Sequence, residues 1–145
     1  MATHPPTGNS CAGCAPTTHS VPCASGSTLA FAHNRHLQRD KSRIHFAGQP
    51  LQWWSAGAIV GTHLGDRYAF AATTFGTRGS DVPSPDTLEG ILSTLPDARA
   101  VIDPGRLTAS LDRKPMPRVP ADHTYFPLDP ATTDQVDAIV FVKEI

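Results

Sequence analysis

The chain has 145 residues, 39% of them hydrophobic, with 12 Lys and Arg against 13 Asp and Glu and a formal net charge of −1. That is long enough for one domain with a real core, and the scattered cations argue against a nucleic-acid partner, which selects a clustered basic face. No apolar run approaches the roughly 20 residues needed to span a bilayer. The opening "MATHPPTGNS" lacks the basic and apolar regions of a secretory signal. A cytoplasmic protein with neither membrane nor nucleic acid as partner is expected.

Residues 1–27 are rich in Pro, Thr, Ser, Gly, Ala and Cys and contain no Leu, Ile or Phe. They are expected to be a disordered or loosely structured leader, with the ordered domain over 28–145. Within the leader, Cys11, Cys14, His19 and Cys23 read C-x2-C-x4-H-x3-C. Three thiolates and one imidazole could close a tetrahedral zinc site. A tail of free thiols explains the same residues, and no metal or other cofactor is assigned.

Thr28–Ala32 is a continuous apolar run and predicts a strand buried on both faces. His33–Ala47 is polar and irregular, and its local group of Arg35, Arg39, Lys41 and Arg43 fits a solvated loop. Pro50 sits where a first helical turn tolerates it. Leu51, Trp54 and Ala58, then Trp53, Ala56, Val60 and Leu64, form an apolar face at spacings of 3 and 4, which predicts a helix over Pro50–Leu64. Gly65 would stop it, with His63 in its last turn. Tyr68–Thr74 predicts a second buried strand. Asp86 predicts the cap of a short helix over Thr87–Leu95, with Glu89 at the capping-box position. Arg99–Ile102 is an ambiguous third strand. Residues 103–127 carry five of the 14 prolines and no period. Asp137–Val142 predicts a last buried strand. Strand, helix, strand, helix, strand is the order of an α/β fold with a mostly parallel sheet flanked by helices.

The chemistry-bearing stretch is "LAFAHNRHLQRD", residues 29–40. Ligands of open α/β sheets bind beyond the carboxyl ends of strands, so His33 and His36 are the candidate catalytic residues. An imidazole can take a proton from water near neutral pH. Asn34 is a candidate substrate-binding group, able to donate to a carbonyl oxygen. Trp53 is another, although Trp53 and Trp54 at helical spacing also suit a core. On residues alone, an ordinary polar strand exit explains the histidines equally. Asp103 is the best placed of the loop carboxylates. No G-x-S-x-G elbow and no phosphate-binding glycine loop is present.

Three segments, taken together and in order, resemble a known family. Ala32-His33-Asn34-Arg35-His36 matches a strand ending in Ala-His-Asn-x-His. Leu64-Gly65-Asp66-Arg67-Tyr68 matches a Leu-Gly-Asp-x-Tyr turn into a strand. "YFPLDPATTDQVDAIVFVKEI" matches a final element opened by an Asp-Ala pair. Over residues 28–145 the chain resembles the C-terminal part of the erythromycin esterase family. The resemblance implies hydrolysis of a small ester, or of a macrolide lactone as in some members, by water that a histidine base activates. It also implies that His33 and His36 are a second histidine pair lining the cleft. The base and its partner glutamate lie, in a full member, in an N-terminal half with a Gly-Glu-x-x-His-Gly type motif. Ala2-Thr3-His4 has neither the preceding Glu nor the following Gly and is taken as chance. The expectation is therefore the C-terminal part of a larger esterase-family domain. It would be either a truncated hydrolase or a non-catalytic assembly partner, with an exposed sheet edge able to pair with another chain.

Overall fold

A computed structural model describes residues 26–121 and 125–145. The chain divides into residues 1–30 and 31–145. Of the first unit, Gly26–Ala30 is exposed coil, and Cys11, Cys14, His19 and Cys23 lie outside the described residues. Thr28–Ala32, expected as a buried strand, is coil, with Leu29 78% and Phe31 89% exposed. An apolar run states only that burial would be favourable, and a strand also needs a ladder and two covering faces.

The second unit begins with one helical turn, α1 (Asn34–Leu37). A hairpin follows, β1 (Ser42–Phe46) and β2 (Gln49–Trp53), paired antiparallel from Ser42↔Trp53 to Phe46↔Gln49. Ala47 (φ 49°) and Gly48 (φ 75°) form the two-residue turn, the type I′ geometry whose twist suits a hairpin. Helix α2 (Ala56–Leu64) therefore starts six residues after the expected Pro50. Its start is set by Ser55, whose Oγ accepts from the Ala58 N–H at 2.9 Å and donates to Gln38 O at 2.7 Å. Pro50 sits instead in a two-stranded ribbon opposite His45. Antiparallel alternation makes that pair non-hydrogen-bonded, so its missing N–H costs no ladder bond. Of the apolar face expected of the longer helix Ala58 is buried, but Trp53 is 37% and Trp54 61% exposed. The Lys41 ammonium lies over the Trp54 ring at 4.4 Å.

Helix α2 ends at Gly65 as expected, with His63 in its last turn. It packs closely on α1 through Gly57, where a Cβ would lie 1.9 Å from Leu37 O. The Tyr68 hydroxyl donates to the same carbonyl.

The main sheet has the order β3-β5-β4, made of β3 (Ala71–Thr77), β4 (Arg99–Ile102) and β5 (Ala138–Glu144). β3 runs parallel to β5, from Ala71↔Ala138 to Thr77↔Glu144. β4 runs antiparallel, from Arg99↔Val142 to Ile102↔Ile139. The sheet is thus mixed rather than mostly parallel, and its centre is the C-terminal strand. β3 alternates, with Ala72, Thr74 and Gly76 buried and Ala71 and Thr73 exposed, so only one face of it is covered. Covering it are α3 (Leu88–Leu92) and the segment 125–136. The core is Phe70, Ala72, Leu88, Leu92, Leu128, Val136, Ile139 and Phe141.

Helix α3 is capped by Thr87, not Asp86: Thr87 Oγ1 accepts from the Gly90 N–H at 3.1 Å. Glu89 makes no capping box and is fully buried. The proline-rich stretch holds one more helix, α4 (Pro104–Ser110), with Pro104 in its first turn. Asp103 caps it, accepting from the Arg106 N–H at 2.7 Å, and so its carboxylate is committed to the backbone. No helix among the described residues is long and apolar enough to cross a membrane.

Candidate functional site

α1 is only one turn long and cannot hold itself in water. Asn34 anchors it. Its Nδ2–H donates to Thr73 O at 2.6 Å, and its Oδ1 accepts from the Thr73 N–H at 3.0 Å. One carboxamide thus stands where the peptide of a neighbouring strand would stand, on the outer edge of β3. Further along, Arg118 Nη1 donates to Phe75 O at 2.8 Å and to Gly76 O at 2.9 Å. Side chains therefore occupy much of the edge that the sequence left open for pairing.

This anchoring sets His33 and His36 laterally beside β3 rather than beyond the end of a preceding strand. His33 is the N-cap of α1, with φ −59° and ψ 142°, and its Nδ1 accepts from the Arg35 N–H at 3.1 Å. A neutral imidazole whose Nδ1 accepts carries its proton on Nε2. No described residue is bonded to that Nε2. Burial, followed by the charges of His36 and Arg35, holds His33 below the usual histidine value of 6.5, so the ring is neutral at pH 7. His36 is exposed, and its ring centroid is 6.2 Å from that of His33 at 79°.

Phe126 closes the other side. Its ring meets His33 edge-on at 4.8 Å, and the Arg35 guanidinium lies 4.4 Å over its face. The preceding residue turns inward. Tyr125 stacks on Phe75 at 3.9 Å, and its hydroxyl is 2.7 Å from Thr74 Oγ1 and donates to Glu89 Oε1 at 3.1 Å. Thr74 Oγ1 also lies 3.0 Å from Glu89 Oε1. Burial first, and then the Glu89 carboxylate, push the Tyr125 phenol up to about 12. Glu89 Oε2 and Arg118 Nε are buried without a partner among the described residues. Arg118 is otherwise held by Asp81, Nη2 to Oδ2 at 3.0 Å.

The basic group of the sequence borders a cleft of about 170 Å³ beside α1, lined by Arg35, Arg39, Lys41, Arg43, Phe70 and Asp129 among others. It is not an open anion site. Arg39 is bound to Asp137 at 2.7 Å and to Tyr68 O, and Arg35 to Arg43 O. Trp53 lies on β2, and the ring neighbours of His33 among the described residues are His36 and Phe126. Among those residues no three His, Cys, Asp or Glu side chains are grouped to hold a metal.

Glu89, Tyr125, Phe126 and Arg118 did not stand out in the sequence. The one available signal was Glu89 within Leu88-Glu89-Gly90-Ile91-Leu92, a carboxylate in an apolar helix turn, where it fitted a cap equally well.

A mixed sheet with helices on it defines an α/β protein, with an imidazole pair beside its edge strand. The chain belongs to the erythromycin esterase family, whose model matches residues 17–145. That places it with the esterase-like hydrolases. No curated protein and no solved structure matches the chain.

Proposed function

We infer that this chain is an esterase-like hydrolase that uses water to open a small ester or a macrolactone, with His33 and His36 on one wall of the cleft. The observation that carries the reading is the state of His33, a neutral imidazole held in one tautomer with Nε2–H unclaimed and facing a second imidazole at 6.2 Å. In this pair His33 donates from Nε2 to the carbonyl oxygen and to the oxyanion that forms as water adds. His36 accepts the proton of the attacking water and returns it to the leaving alkoxide. Asn34 fixes the turn, both its polar groups being engaged by Thr73. Trp53 is proposed as an apolar contact for the substrate. Among the described residues no carboxylate is hydrogen-bonded to either imidazole, so none of them supports the imidazolium formed on His36.

A second reading, a non-catalytic assembly partner, is favoured by exposed apolar residues on the hairpin and α2: Leu51 at 47%, Trp54 at 61% and Ile59 at 51%. Ligand titration separates the two. With ¹⁵N-labelled histidine, a macrolide or an aryl ester is expected to move the imidazole signals of His33 and His36 and to leave His63 in place. Shifts at His63 alone, or none, contradict the hydrolase reading.

A further inference from the structure

The buried cluster of Thr74, Glu89 and Tyr125 has no part in the proton transfers just described, yet it is costly. Burying a carboxylate with one oxygen unpartnered is unfavourable by several kcal/mol unless something is gained elsewhere. The Thr74 hydroxyl and the Glu89 carboxylate are bonded to each other and both meet the phenol of Tyr125. The neighbouring residue in the chain, Phe126, points to the opposite side and supports His33 and Arg35. Consecutive residues of an extended segment face opposite ways, so a fixed Tyr125 leaves Phe126 little freedom.

We propose that Thr74, Glu89 and Tyr125 are positioning residues for His33, acting through Phe126. The phenol is clamped between the Thr74 hydroxyl and the Glu89 carboxylate and stacked on Phe75, with Arg118 5.2 Å from its ring centroid. This fixes the depth at which the Phe126 ring stands against His33. That ring excludes water from one side of the imidazole. It also holds the guanidinium of Arg35, the residue whose backbone N–H donates to His33 Nδ1 and so determines the tautomer. The buried carboxylate thus bears on the site without touching substrate. The proposal rests on the reading that His33 acts in the cleft, but it is tested without turnover.

The measurement is the titration midpoint of His33 in the full chain, followed by the ¹⁵N signals of its imidazole. The charged groups around it are His36 and Arg35 on its own turn and, from the segment bearing Phe126, Asp129, which acts on Arg35. Tyr125→Phe keeps the stack on Phe75 and removes both hydrogen bonds of the hydroxyl. It is expected to raise the His33 midpoint by about half a unit, toward the ordinary histidine value. Phe126→Leu, which leaves the cluster intact, is expected to do the same. Thr74→Val, nearly isosteric, removes one bond and is expected to give a smaller shift of the same sign. Should Tyr125→Phe fail to fold by circular dichroism, Thr74→Val decides. His63 on α2 serves as the internal control and is expected not to move. A His33 midpoint that stays put in the folded variants, or an equal shift at His63, overturns the proposal. A chain that hydrolyses nothing would defeat the functional reading and still leave this result interpretable.

Discussion

Asn34 is the strut between α1 and the sheet, and its replacement by Asp separates hydrogen bonding from size. Asn34→Ala removes two hydrogen bonds, at 2.6 and 3.0 Å, from the edge of β3. A net value of ~1 kcal/mol each, reduced by partial exposure, gives a loss of about 1–2 kcal/mol. Asn34→Asp keeps the acceptor for the Thr73 N–H but turns the donor into a second acceptor. It would place a carboxylate oxygen against Thr73 O where the amide nitrogen now stands at 2.6 Å. That repulsion adds about 1 kcal/mol at near-surface dielectric to the lost donor bond and so cancels the advantage of the retained acceptor, leaving the Asp variant about as unstable as the Ala variant at pH 7. The two separate in acid, where Asp becomes the more stable, because a protonated carboxyl both donates and accepts as the carboxamide does. Repulsion raises the folded-state pKa of the introduced carboxyl above its unfolded value of about 3.9. The deficit is therefore relieved below the unfolded pKa and develops as pH rises through the folded one. Urea unfolding followed by circular dichroism between pH 3.5 and 7 measures it. An Asp variant as stable as wild type at pH 7, or one that never overtakes Ala in acid, refutes the peptide-mimic role of Asn34.

Gly57→Ala would put a Cβ 1.9 Å from Leu37 O and 2.6 Å from the Tyr68 hydroxyl, forcing α1 from α2. A loss of about 1–3 kcal/mol in urea unfolding is expected, and a change below about 0.5 kcal/mol would show that the two helices are not in contact. Ala47 holds φ 49°, a region that costs an L-residue roughly 1 kcal/mol, so Ala47→Asn is expected to recover about that much. Unchanged amide exchange in β1 and β2 would argue against the type I′ turn. His33 is lowered below 6.5 chiefly by burial. Its contribution to stability is therefore complete above that value and is lost as pH falls through the folded pKa, when Nδ1 becomes protonated and can no longer accept from Arg35. His33→Ala is expected to abolish that part of the pH dependence, and an identical pH profile in the variant contradicts the assignment.

The parts of the fold legible in the sequence were those whose signal is local. Gly65 ends α2, Asp137-Ala138 opens β5, and Arg99–Ile102 is a strand. The histidine pair was singled out for following an apolar run, and the structure sets the two rings 6.2 Å apart although that run is not a strand. What misled was apolar periodicity without a partner. Leu51, Trp54 and Ala58, and Trp53, Ala56 and Val60, have helical spacing, but Ser55 with its buried hydroxyl outweighs them and divides the segment into strand and helix. Thr28–Ala32 has the composition of a buried strand and is exposed coil, because composition alone supplies neither a ladder partner nor covering faces. Glu89 was hidden for a different reason. A carboxylate three residues after a capping residue marks a helix start, and only the side chains of Thr74 and Tyr125, which are 15 and 36 residues away, reveal that it turns inward.

The most direct test of the functional account is hydrolysis of a macrolide and of a simple aryl ester by the purified chain beside its His33→Ala variant. The account predicts at most slow turnover, since a base without a supporting carboxylate forfeits part of the 10² to 10⁴ that general-base catalysis typically contributes. It also predicts that the turnover disappears when His33 is removed. Equal rates in chain and variant would contradict it and leave the assembly-partner reading. Robust turnover that depends on His33 would show that the residues of this chain suffice for full catalysis and that the expectation of slow turnover is mistaken.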